Sequence, residues 1–156
     1  MKKFLPVLLA WLTLLACGSM EGSPPDPGKE AQKWLYQGMK QFQQQEFDLA
    51  LSSFKKAIEL EPKSAAAYNM LGMTYRFKYN QVRRQELKEK EIAAFTKALE
   101  IDPNFGVALI NLGATYYYLG EKAKAAPLFK KALLLYPYHQ ERAQLEKMIA
   151  EGEGQP

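Results

Sequence analysis

The chain repeats itself. Gly38, Gly72 and Gly113 are spaced 34 and 41 residues apart, Phe54, Phe95 and Phe129 are spaced 41 and 34, and Pro62, Pro103 and Pro137 are again spaced 41 and 34. One 34-residue period with a single seven-residue insertion accounts for all three series, and the order of the gaps puts the insertion between Gly72 and Phe95. A fixed period of this size marks stacked units, each burying its apolar face against its neighbours. The units run 31–64, 65–105 and 106–139.

Each unit reads as two helices. In the first half Trp34 and Gly38, Tyr68 and Gly72, and Leu109 and Gly113 are all four residues apart, one helical turn. In the second half Ala50, Phe54 and Ala57 fall at i, i+4 and i+7, as do Ala125, Phe129 and Ala132, so small residues flank one large ring on a single face. The glycine lets the two helices approach and the phenylalanine fills the space above it. Pro62, Pro103 and Pro137 end each pair because proline cannot continue a helix. Gly120 is placed to stop the first helix of the third unit. Beyond Pro137, the apolar positions Ala143, Leu145, Met148 and Ile149 predict a last helix over the open end of the stack, within 140–156.

This pattern resembles the tetratricopeptide repeat, or TPR. The matching residues are Trp34, Gly38, Ala50, Phe54, Ala57 and Pro62, then Tyr68, Leu71, Gly72, Tyr75, Phe95, Ala98 and Pro103, then Leu112, Gly113, Tyr116, Gly120, Ala125, Phe129, Ala132 and Pro137. The likeness covers 109 of 156 residues. It implies an all-α fold, a short right-handed solenoid of three helix hairpins plus a C-terminal capping helix, whose first helices line a concave groove that holds a segment of a partner protein. Four residues depart from the pattern. Gln37 and Gln41 replace Leu and Tyr in the first copy, which implies a polar or exposed outer edge. Glu91 stands where the other copies have Ala50 and Ala125, and a carboxylate cannot sit unpaired in a tight helix contact, so either the helix pairing of the second unit is altered there or Glu91 finds a cation such as Arg83 or Arg84. Pro127 falls inside the last repeat helix.

The resemblance assigns to the groove Leu35, Met39 and Phe42 of the first unit, Asn69, Met73, Arg76 and Phe77 of the second, and Ile110, Asn111, Tyr117 and Tyr118 of the third, with Tyr36 and Val107 at its margin. Methionine adapts to irregular partners, aromatic rings dominate interface energetics, and the two amides are able to hold a peptide backbone. One TPR subfamily clamps C-terminal carboxylates with Lys, Asn and Arg. Leu35, Met39, Met70 and Val107 occupy those positions here, with only Asn111 in keeping, so an apolar or amphipathic segment is the expected ligand. The inserted stretch, Arg76 to Glu91, carries six basic and three acidic residues. Seven residues are about two turns, and one extra turn on each helix keeps every face in phase. The expectation is therefore a lengthened hairpin with its tip near Asn80 and Leu87 on the stripe of Ala94 and Ala98.

The N-terminus reads as an address. Lys2 and Lys3 precede an uncharged run from Phe4 to Ala16, shorter than the ~20 residues that cross a bilayer, which is the pattern of a signal peptide over 1–16. Leu14-Leu15-Ala16-Cys17 resembles the lipobox of bacterial lipoproteins, which implies cleavage before Cys17, its lipidation, and stable anchoring by more than one acyl chain. Gly18 rather than Asp after the cysteine is compatible, by the same resemblance, with the outer membrane facing the periplasm. Three Gly and three Pro between Gly18 and Lys29 read as a tether, so 17–30 is the lipidated cysteine and its linker.

Charge and composition narrow the remaining options. Without Lys2 and Lys3 there are 19 basic against 17 acidic residues, a balance of +2 that is too weak to argue for nucleic acid. One Cys and one His exclude an internal disulfide and a Cys/His zinc site, and no cofactor is implied. His139 has no nucleophile in its context, so no catalytic constellation is evident and an enzyme is not expected. The expectation is a lipid-anchored adaptor of the bacterial envelope with a protein partner; the alternative is a self-associating structural lipoprotein without a peptide ligand.

Overall fold

The computed structural model describes residues 26–154. The signal peptide, Cys17 and most of the tether lie outside that range. Among the described residues there are seven helices and no strand: α1 (Pro27–Gln43), α2 (Phe47–Leu60), α3 (Ala65–Val82), α4 (Gln85–Ile101), α5 (Gly106–Tyr118), α6 (Lys122–Leu135) and α7 (Arg142–Gly152). Helices consecutive in the chain pack on one another, giving hairpins α1–α2, α3–α4 and α5–α6 with α7 laid on the last. None of these helices is long and apolar enough to cross a membrane.

Local chemistry sets the ends. Asp26 caps α1, its carboxylate accepting the Gly28 N–H at 2.9 Å with Pro27 at the first helical position. Pro27, Gly28 and Lys29 are therefore helical, and the linker read over 17–30 ends at Asp26. Ser64 caps α3 through the Ala67 N–H. Each hairpin turn needs one residue of left-handed backbone. Gly120 supplies it in the third (φ 80), as its sequence announces, but Gln45 (φ 62) and Arg83 (φ 54) do so in the first two. Side chains are strained there, and that strain is offset by the packing on either side.

The Gly–Phe pairing is the lock of each hairpin. Phe54, Phe95 and Phe129 are fully buried. A methyl group added to Gly38, Gly72 or Gly113 would sit 2.6, 2.7 or 2.6 Å from the facing ring, closer than van der Waals contact allows. The inserted residues lengthen the second hairpin on both sides: α3 has 18 residues and α4 17, against 13 and 14 in α5 and α6. Its tip is Arg83–Arg84, a turn beyond Asn80, and Leu87 is buried with Ala94 and Ala98. Gln37 is exposed, while Gln41 accepts the hydroxyl of buried Ser53 at 2.6 Å, so the polar first unit forms an open edge. The buried side chains form two clusters: one spans the first two hairpins through Leu51, Phe54, Leu71 and Tyr75, the other joins Phe129 and Leu133 to Leu145, Met148 and Ile149 of α7. At the C-terminal end Glu151 is helical and Glu153 pairs with Lys130.

Candidate functional site

The first helices α1, α3 and α5 present the candidate residues, which separate into three groups. The first is an open apolar face. Met39 and Phe77 are exposed, 40% and 44%, and Tyr36 more so. Phe42 meets Phe47 edge-on at 5.6 Å and Phe77 at 5.2 Å, and Phe47 stacks on Phe77 at 5.7 Å between ring centres. These rings, with Gln43, Gln45, Asn80 and Gln81, line a cavity of about 500 Å³. Leu35 is half-buried against the first core cluster, and Met73 is half-buried.

The second group is a polar network that joins the second and third hairpins. Glu91 is wholly buried, and its carboxylate accepts from Arg76 Nε at 2.7 Å, Lys88 Nζ at 2.5 Å and Thr115 Oγ1 at 2.7 Å. Arg76 also donates to the Asn111 side-chain and main-chain oxygens at 3.1 and 2.7 Å and to Thr115 at 2.9 Å, with its guanidinium 5.0 Å above the Phe95 ring. Asn111 donates on to Asn69 at 3.0 Å. The partners of Glu91 are thus Arg76 and Lys88, not Arg83 or Arg84: a turn on α4 and a turn on α3 bring those two cations to the carboxylate, while Arg84 is taken by Glu86 at the surface. Asn69, Arg76 and Asn111 are committed to this network. Asn69 is buried, so it does not line the open face as the resemblance implied.

The third group is closed over by α7. Ile110, Ala114 and Tyr117 pack against the second core cluster. Tyr117 donates its hydroxyl to Glu151 at 2.6 Å, and Lys122 binds the same carboxylate at 2.7 Å. The hydrogen bond from Lys122 and then that from Tyr117 hold Glu151 below the usual carboxylate range; the same bonds raise Lys122 and Tyr117. Tyr118 stays 76% exposed, its ring edge-on to Tyr117 at 5.5 Å.

Sequence reasoning missed Phe47, Lys88 and Thr115. Phe47 opens α2 rather than a first helix, outside the set the resemblance marks. Lys88 lies three residues before Glu91 on one helix, a spacing that could have identified it. Thr115 is a small polar residue on a buried face, which carries no charge pattern to notice.

Family models described as tetratricopeptide repeat match residues 34–64, 53–90 and 106–139, together more than half of the chain. The chain is a tetratricopeptide-repeat protein. Its TPR stack superposes on the first TPR of Spaghetti (RPAP3) bound to an HSP90 peptide with a TM-score of 0.70 at 18% identity, covering 85% of this chain and 99% of that one. The TPR2B domain of yeast Sti1, in a complex with pHsp70, gives 0.68 at 18% identity, covering 82% and 99%. The crystal structure of MamA gives 0.68 at 26% identity, covering 83% and 71%. No curated protein matches the chain.

Proposed function

We propose that this TPR protein is a lipid-anchored adaptor of the bacterial envelope that captures an apolar or amphipathic segment of a partner protein. The observation that carries the reading is the partly exposed aromatic pair Phe42 and Phe77, which with Phe47 lines a cavity of about 500 Å³, and the exposed Met39 on the same helix as Phe42. Large exposed apolar surface flanked by polar residues marks an interaction site. Two of the solved TPR domains it superposes on hold peptides or peptide complexes, but Leu35, Met39, Met70 and Val107 stand here at the carboxylate-clamp positions, and Asn111 is engaged by Arg76. The ligand chemistry is accordingly apolar first. Cys17 supplies the anchor in this reading and the linker the reach, with the outer membrane facing the periplasm as the location.

Selection of binding peptides from a displayed random library, followed by titration into wild type and Phe77→Ala, tests the groove. Enrichment of peptides with a bulky apolar anchor, weakened at least tenfold by Phe77→Ala, supports it. Binding indifferent to Phe77 refutes it, and concentration-dependent growth in size without peptide binding favours the self-associating alternative. Fatty-acid labelling of wild type and Cys17→Ser tests the anchor: a wild type left unlabelled removes it.

A further inference from the structure

A second cavity, of about 370 Å³, lies between the tip of the second hairpin and the end of α5. It exists because of the seven inserted residues: Tyr79, Asn80, Arg83 and Lys88 form one wall, and Tyr118 with Leu119 the other. The Tyr79 ring is bracketed by cations, Arg83 at 5.7 Å and Lys88 at 4.5 Å from its centre. At the floor, Arg76 and Lys88 are already matched by Glu91. That leaves three cations around one carboxylate, and Arg83 has no carboxylate partner among the described residues.

We propose that this cavity receives an acidic side chain of the partner segment whose apolar residue occupies the aromatic groove. The inference rests on the groove reading and adds the partner's charge to it. Asn80 lines both cavities, so α3 forms the ridge between an apolar pocket and a cationic one. A helix with its side chains is about 10 Å across, which an extended peptide crosses in roughly three residues. The ligand is therefore a segment with a bulky apolar residue and a glutamate or aspartate about three positions away. The site uses none of the carboxylate-clamp positions. A lipid surface fits less well. Lys78 and Arg84 near the hairpin tip are paired with Asp48 and Glu86, and Arg83 lines a pocket with aromatic walls.

The probes are synthetic peptides carrying a Phe and, about three residues on, a Glu pair, beside versions with Gln for Glu and with Ala for Phe, titrated into the full chain by fluorescence anisotropy. Arg83→Asn is the test variant, because asparagine tolerates the left-handed backbone at φ 54 and so leaves the tip folded. The Glu peptide should bind wild type more tightly than the Gln peptide by roughly fivefold, the size expected of a half-exposed ion pair, and Arg83→Asn should erase that difference. Added salt should erase it too. Equal affinity for Glu and Gln peptides, or a Glu preference that survives Arg83→Asn, overturns the proposal, as does the absence of any Glu-dependent binding at millimolar peptide. Phosphatidylglycerol vesicles that bind through Arg83 while the Glu peptide does not would also overturn it, in favour of a lipid headgroup. Failure of the groove reading looks different: loss of the Phe-versus-Ala preference with the Glu preference intact.

Discussion

Replacing Glu91 by alanine restores the small residue that the first and third repeats carry at this position, and by repeat consensus it should be harmless. The structure predicts the opposite. The carboxylate is fully buried and is the shared acceptor of Arg76, Lys88 and Thr115. Removing it leaves two cations with side chains only 24% and 12% exposed. Breaking a buried pair by deleting one partner costs about 3–5 kcal/mol, because the surviving charge stays desolvated. Arg76 keeps its bonds to Asn111, and Lys88 is able to swing outward, so the lower end, about 3 kcal/mol, is expected. Urea unfolding followed by far-UV circular dichroism should show the midpoint falling with little change in slope. A loss below about 1 kcal/mol would refute the reasoning. The double variant Arg76→Met/Glu91→Ala removes the stranded guanidinium and should recover most of the loss, since replacing a whole buried pair by apolar groups is often neutral. Additive losses from the two positions would show that the pair is not coupled.

The remaining predictions address the lock, the cap and a turn. Gly72→Ala gains about 1 kcal/mol of helix propensity but drives a methyl group to 2.7 Å from the buried Phe95 ring, so a net loss of about 1–2 kcal/mol is expected; in a Phe95→Leu background the same substitution should turn neutral or favourable by thermal melting. Because the folded Glu151 carboxyl is lowered, the attachment of α7 is at full strength above the ordinary carboxylate range and weakens as pH falls through the folded value; because folded Lys122 is raised, that attachment is again lost at alkaline pH as it deprotonates. The protection of α7 amides from hydrogen exchange, taken relative to the intrinsic rate at each pH, should fall in acid for wild type and show no acid step in Glu151→Gln. Gln45→Gly relieves the left-handed strain at φ 62 and should leave stability unchanged or raise it by about 0.5–1 kcal/mol in urea melts, whereas β-branched Gln45→Val should lower it.

The fold was legible because its lock is periodic: a glycine facing a phenylalanine, closed by a proline, written three times. The insertion was legible as two turns, since only whole turns keep Leu87 in phase with Ala94. What the sequence concealed falls into two kinds. The turns at Gln45 and Arg83 hide because only glycine advertises a left-handed backbone, as Gly120 does. The fate of the groove residues hides because it depends on which elements meet across more than thirty residues: Arg76 reaches Asn111 and Thr115, and Tyr117 reaches Glu151. Residue type alone marked Asn69 and Tyr117 as available; packing made one a buried link and gave the other to the cap. Met39 and Phe77 stay exposed and Phe42 half-buried.

The two apolar clusters also bear on how the molecule moves. One belongs to the first two hairpins and the other to the third hairpin and α7, and the seam between α3–α4 and α5 includes the Arg76–Glu91–Asn111 network. Oil tolerates sliding, whereas hydrogen bonds of fixed length and direction do not. Those bonds hold the two halves at one angle. Both proposed pockets open along α3, on the near side of that seam and across it. A ligand that occupied the pair would read the angle as well as the surface.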